Sequence, residues 1–237
     1  MTSVTTRALT ILTLTCVLGL LVAGCSAGTG TSTEPDQMHG DAPLSSGQVT
    51  ETPPTPQEAA MHVSDVQVSG TETAVITTAK GDIVVEFYAE DAPNTVASFI
   101  ELADAGFYNG IKFHRIVPSF VVQGGDPQTR DLSSDAVREI VARQAQNDYR
   151  SGEPMIGTGG PGWTQKAEFN SRLHERGTLA MARSQAVDSA GSQFYICLEP
   201  QPRLDGQYTV FGRVVEGMEI VDALEVGDEI VSLTIRR

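Results

Sequence analysis

From residue 75 to the C-terminus the apolar positions fall into short runs broken by turn-forming residues. Val75-Ile76-Thr77-Thr78 and Ile83-Val84-Val85-Glu86-Phe87-Tyr88 flank Ala79-Lys80-Gly81-Asp82, a pattern that predicts a β-hairpin. Phe113 to Val117 and Phe120 to Val122 are β-prone runs on either side of Pro118-Ser119, and Leu179 to Met181, Gln193 to Leu198, Tyr208 to Val214 and Ile230 to Ile235 extend the series. Elsewhere the period changes. Val96, Phe99, Ile100 and Ala103 recur at helical spacing, so a helix is expected through Asp104, with Asp91 as its cap, Pro93 in its first turn and Gly106 just past its end. Met218 to Leu224 predicts a second helix. Many short strands and two separated helices favour a mainly β fold, a barrel or sandwich with helices closing its ends.

One segment stands apart from that pattern. Leu132 to Tyr149 carries Val137, Ile140 and Val141 on one face and charges around them, which predicts an amphipathic helix inside an otherwise long loop. Such a stripe can pack on the domain or reach over a binding groove; packing is the preferred reading.

The N-terminus follows different rules. After Arg7, the chain from Ala8 to Val22 is uncharged and mostly apolar and leads to Ala23-Gly24-Cys25. As a helix this run reaches roughly 22 Å, short of a hydrocarbon core about 30 Å thick, so it fits an export signal better than a permanent span. Residues 25–70 read as a tether. Five of the 12 prolines lie there (Pro35, Pro43, Pro53, Pro54 and Pro56), and no Lys or Arg occurs between Arg7 and Lys80. Low hydrophobicity with one sign of charge does not offset ordering entropy, so an extended, solvated leash is expected. The folded domain is then expected over 71–237.

Charge and cysteine count narrow the function classes. The 237 residues hold 16 Lys+Arg against 30 Asp+Glu, a formal charge of −14, which argues against a phosphate-tracking nucleic-acid binder. Three cysteines, two of them in or at the end of the N-terminal apolar run, do not build a disulfide scaffold. Cys197, inside an apolar strand, reads as a small core residue. The Gly159-Gly160-Pro161-Gly162 loop lacks the Gly-Lys-Ser/Thr ending of a phosphate cradle, and no Gly-x-Ser-x-Gly is present over 71–237.

The stretch Phe113-His114-Arg115-Ile116-Val117-Pro118-Ser119-Phe120-Val121-Val122-Gln123-Gly124-Gly125-Asp126 sets an Arg and a Gln among β-prone apolar residues. An unpaired charge there is costly, so the Arg is either buried against a carboxylate such as Asp126 or functional. This stretch resembles the signature of cyclophilin-type peptidyl-prolyl cis–trans isomerases. Gly157 to Gly162, Ala167-Glu168-Phe169, Leu179 to Arg183, Ser189 to Ile196, Leu204-Asp205-Gly206, Val210 to Val214 and Gly217-Met218 follow in the family's order, over about residues 73–237.

The resemblance implies an eight-stranded antiparallel closed β-barrel capped by two α-helices, with the segment around 130–155 as an extra helical insertion. It implies a groove on the barrel's outer surface, with Arg115 as catalytic electrophile and Gln123 as substrate hydrogen-bonder. Phe120, Val121, Ala182, Gln193, Tyr195, Leu204 and Tyr208 are matched to the groove that holds proline and its neighbours. No metal and no cofactor is called for, and His114 has no proton to transfer, so it reads as structural. His174 reads as a surface loop residue.

Tyr195 stands where many relatives have Phe, Tyr208 where a His is usual, Val121 where Met is frequent, and Arg203 where eukaryotic members often have Trp. The buried hydroxyl of Tyr195 needs a partner, or its ring must shift; Arg203 is expected to weaken cyclosporin binding. Leu21-Val22-Ala23-Gly24-Cys25 resembles a bacterial lipobox, which implies diacylglyceryl and palmitate-type acylation at Cys25, cleavage before it, and attachment to the extracytoplasmic side of a membrane. The expected partners are proline-containing exported chains and that membrane, with no nucleic acid, and the chain is expected to be a monomer. The competing reading is a Pro-peptide-binding chaperone or scaffold of the same fold that isomerises poorly.

Overall fold

The computed structural model describes residues 60–237. Cys25 and the signal-like run lie outside the described residues. In chain order the elements are β1 (Ala60–Met61), β2 (Thr73–Thr78), β3 (Gly81–Phe87), α1 (Pro93–Asp104), β4 (Arg115–Val117), β5 (Val121–Gly124), α2 (Ser134–Gln144), β6 (Trp163–Thr164), β7 (Thr178–Met181), β8 (Phe194–Cys197), β9 (Val210–Glu216), α3 (Met218–Ala223) and β10 (Ser232–Arg236). Eight strands form one antiparallel sheet in the order β10-β2-β3-β9-β7-β8-β5-β4, while β1 and β6 make a separate parallel pair.

The barrel closes, but not by a strand ladder between β4 and β10. The Gly110 N–H donates to Ile230 O, Ile230 N–H to Ile111 O, Phe113 N–H to Asp228 O and Gly227 N–H to Phe113 O. Gly110 and Gly227 sit at φ +81° and +92°, in the left-handed region, and interrupt any regular ladder there. The expected closed barrel is therefore an eight-stranded sheet with an irregular seam.

Strand alternation sorts side chains into two layers. Val122, Leu179, Met181, Phe194, Ile196 and Phe211 face the main core, while Val121, Ala180, Tyr195, Cys197 and Val210, their neighbours in sequence, face a second cluster. Helix α1 lays Val96, Phe99, Ile100 and Ala103 on the main core as its spacing predicts. Phe99 sits against Tyr108, Phe194 and Phe211 at 4.9–5.6 Å between ring centres. Asp91 does not cap this helix. It pairs with Arg172 at 2.8 Å, and the free N–H groups of Asn94 and Thr95 donate instead to the two carboxylate oxygens of Glu168, at 3.0 and 2.8 Å.

Two boundaries differ from the sequence expectation. Residues 60–70, assigned to the tether, pack on the domain: β1 pairs with β6, His62 stacks on Trp163 at 4.0 Å, and Val66 and Val68 lie against the main core. Short polar-apolar alternation without charge balance concealed this strap. The insertion helix ends at Gln144 rather than Tyr149. Ser133 caps it, and Val137 and Ile140 pack with Ile156 and Val226 on the side of the barrel rather than over the second cluster.

Candidate active site

The second cluster lies on the outer face of the sheet, where β4, β5, β8, β7 and β9 run side by side. Its buried floor is Val121, Ala180, Tyr195, Cys197 and Val210, and Tyr88, Phe120, Ala182, Leu204 and Tyr208 pack around it half-exposed. Six of the sequence-matched residues, Phe120, Val121, Ala182, Tyr195, Leu204 and Tyr208, thus converge on one apolar depression.

Arg115 stands at its edge. Antiparallel pairing sets Arg115 opposite Gln123 and Gln123 opposite Tyr195, so the cation, the amide and the ring occupy one row across three strands. Arg115 is exposed and does not pair with Asp126. One of its terminal nitrogens donates to Gln123 Oε1 at 3.5 Å, and its guanidinium carbon lies 5.5 Å from the centre of the Phe120 ring. Gln123 Nε2 donates to Gln193 Oε1 at 3.0 Å, and Gln193 Nε2 donates to Gly159 O at 2.8 Å. This chain of amides fixes which end of Gln123 faces the guanidinium. Remaining guanidinium N–H groups are left to point at whatever fills the depression.

Local sequence explains the placement. Pro118 and Ser119 form the tight turn between β4 and β5, with Ser119 at φ +58° and its carbonyl accepting from Gln201 Nε2 at 2.9 Å. That turn presents Phe120 beside Arg115. The following Gly124 and Gly125 are required by close approach: a Cβ on Gly125 would meet Ser192 O at 2.3 Å. Asp126 is wholly buried and accepts from the N–H groups of Gln128, Gly157 and Gly159. It therefore holds the glycine loop whose Gly159 carbonyl anchors Gln193.

Beside the depression opens a cavity of about 750 Å³, shared by Gln123, Gly159, Trp163, Ala182, Arg183 and Gln193. Arg183 was not singled out by the sequence reading; its guanidinium lies 4.9 Å from the Tyr208 ring centre. His174 was misplaced by it. The residue is only 1% exposed, and its Nε2 is 3.0 Å from the Tyr195 hydroxyl while its Nδ1 is 2.9 Å from Asp205 Oδ1. Burial pushes the Tyr195 phenol far above its ordinary range, so it stays protonated. The backbone N–H of His174, and then its ring, hold the Asp205 carboxyl below the usual carboxylate range.

His114 is buried with both ring nitrogens unpartnered. Burial lowers its pKa, with Asp126 pulling the other way and Arg115 adding to the lowering. Among the described residues no three His, Cys, Asp or Glu side chains converge as a metal would require.

The chain's likeness to known proteins covers this same region. The family model described as cyclophilin type peptidyl-prolyl cis-trans isomerase/CLD matches residues 73–234. A peptidyl-prolyl cis-trans isomerase of Synechococcus elongatus is 40% identical over 164 residues, covering 68% of this chain and 94% of that protein. Peptidyl-prolyl cis-trans isomerase B of Bacillus subtilis is 43% identical over 148 residues, covering 62% and 85%. A cyclophilin type peptidyl-prolyl cis-trans isomerase of Cryptosporidium parvum, crystallised in the presence of the dipeptide Ala-Pro, superposes with a TM-score of 0.55 at 25% identity over 70% of this chain and 99% of that one.

Proposed function

Because the chain belongs to the cyclophilin-type peptidyl-prolyl cis–trans isomerase family, we propose that it rotates X–Pro bonds of exported polypeptides in the outer-surface depression beside Arg115. The observation that carries this reading is the row Arg115–Gln123–Tyr195, a cation next to an apolar floor.

Rotation about a peptide bond is opposed by C–N resonance, a barrier of ~18–20 kcal/mol. X–Pro bonds have only a small trans preference, so the obstacle is rate. The apolar floor holds the prolyl ring while the acyl side turns. A guanidinium N–H donating towards the prolyl nitrogen favours the pyramidal, non-conjugated nitrogen of the twisted state. That hydrogen bond is stronger at the transition state than at either planar ground state, which is what lowers the barrier. Gln123 receives one N–H of Arg115 and so aims the others. The guanidinium never deprotonates and presents a planar fork, which a lysine does not.

The Leu21-Val22-Ala23-Gly24-Cys25 run supports lipid attachment at Cys25 and a place on the extracytoplasmic side of a membrane, with the Pro-rich acidic stretch as the leash. Incorporation of labelled palmitate into the cellular protein, lost in Cys25→Ser, tests the anchor.

The catalytic reading is tested by protease-coupled or NMR exchange measurement of cis-to-trans conversion in an X–Pro peptide. Arg115→Ala is expected to lower kcat/KM by about 10²–10³ while leaving the fold intact, and Arg115→Lys to restore little of it. Equal, negligible rates in the folded parent and variant, with peptide binding retained, would leave a proline-binding module instead.

A further inference from the structure

A phenol at the bottom of an apolar pocket has to satisfy its hydroxyl, because an unpaired buried O–H costs free energy that a phenylalanine would not. Tyr195 is 5% exposed, and its hydroxyl lies 3.0 Å from Nε2 of His174, whose side chain is wholly buried. Asp205, in turn, takes both the backbone N–H of His174, at 2.8 Å, and its ring Nδ1, at 2.9 Å. A carboxylate only accepts, so in the neutral imidazole the ring proton sits on Nδ1. Nε2 is then the acceptor, and the Tyr195 O–H donates to it. The two rings lie nearly parallel, 14° apart, and Tyr208 meets both edge-on, at 5.8 Å from Tyr195 and 6.3 Å from His174.

We propose that the Asp205–His174 pair is a positioning couple for the prolyl pocket: by consuming the Tyr195 hydroxyl inside the protein, it locks the ring as an apolar floor and sets the groove's affinity for proline. The proposal rests on the reading of the depression as the prolyl site. His174 touches no substrate; it acts through Tyr195. With His174 replaced by an apolar residue, the hydroxyl is stranded and turns towards the groove, where it roughens the floor.

The coupling makes the test specific. In the full chain, purified in detergent, His174→Leu is expected to raise KM for an X–Pro peptide by about five- to tenfold, with kcat within about threefold of the parent. Tyr195→Phe strands the His174 acceptor and is expected to raise KM by about two- to threefold. Removing both partners together leaves nothing unsatisfied, so His174→Leu/Tyr195→Phe is expected to return KM to within about threefold of the parent. Asp205 keeps the His174 backbone N–H and partial solvation in that double variant.

A direct readout accompanies the kinetics: with ¹⁵N-labelled histidine, the Nε2 resonance of His174 should move in Tyr195→Phe while Nδ1 keeps its proton. An unmoved Nε2 resonance overturns the proposal, as do additive KM losses without rescue in the double variant. If His174→Leu does not fold, the near-isosteric Tyr195→Phe spectrum decides alone. Should the parent bind X–Pro peptides without turning them over, catalysis fails and the peptide dissociation constant replaces KM in the same cycle. No peptide affinity in any folded variant would overturn both readings.

Discussion

Cys197 lies two residues from Tyr195 on the same face of β8, fully buried under the groove. Burial pushes its thiol up to about 12, so at pH 8 roughly one molecule in ten thousand carries the thiolate that reacts with alkylating agents. Iodoacetamide at pH 8 is therefore expected to leave the Cys197 peptide unmodified in the native protein and to label it within minutes in guanidinium, as read by mass spectrometry; equal labelling in both states would contradict the packing. The small-core role of Cys197 was legible because apolar strand neighbours surround it in sequence. The task of His174 was not. Its partners are 21 and 31 residues away, and nothing in its flanking Leu173 and Glu175 signals that a loop folds back beneath β8. Arg115 shows a third case: the local pattern left a buried ion pair and a functional cation both open, and the β4–β5 pairing removes the first by bringing the side chain to Gln123 and the surface.

At the scale of elements, periodicity carried what is local and missed what is remote. The stripe of α1 follows from spacing alone, since the core needs only one apolar face. Its cap does not, because Asp91 has the right chemistry in the right place and is nevertheless drawn to Arg172. The helix N-terminus is served by Glu168, a residue more than 70 positions away, whose carboxylate takes two orphan N–H groups and faces the positive end of the helix dipole. Glu168→Ala is expected to cost about 1–2 kcal/mol, read as a lower urea midpoint at unchanged slope. Asp91→Ala removes only a partly exposed ion pair and should cost under about 1 kcal/mol. If the two substitutions cost the same, the remote cap is not what holds the first turn.

For the molecule as a whole, the strap over residues 60–72 leads into the barrel, and its last turn carries a pH-dependent clasp. Glu72 is 7% exposed. Burial opposes its ionisation, but the N–H and hydroxyl of Ser69 and the N–H of Gly70 outweigh that and bring its pKa down from 4.5 to about 2. A carboxyl whose folded pKa lies below its unfolded value adds stability that is complete above the unfolded value and drains away as pH falls through the folded one. Between pH 4.5 and 2 the clasp is therefore lost. Bulk charge adds to the loss there, because below a pI near 4.6 protonated carboxyls leave the chain with a growing net positive charge that repels itself. A difference measurement separates the two. Glu72→Gln is expected to be less stable than the parent by on the order of 2 kcal/mol at pH 7, with the gap closing towards pH 2 as the parent's carboxyl protonates. Denaturant titrations of both proteins at pH 7, 4 and 2.5 follow that gap. A constant gap would mean that Glu72 holds the strap by packing or by hydrogen bonds that a neutral amide also lacks, and that the charge of the clasp contributes nothing.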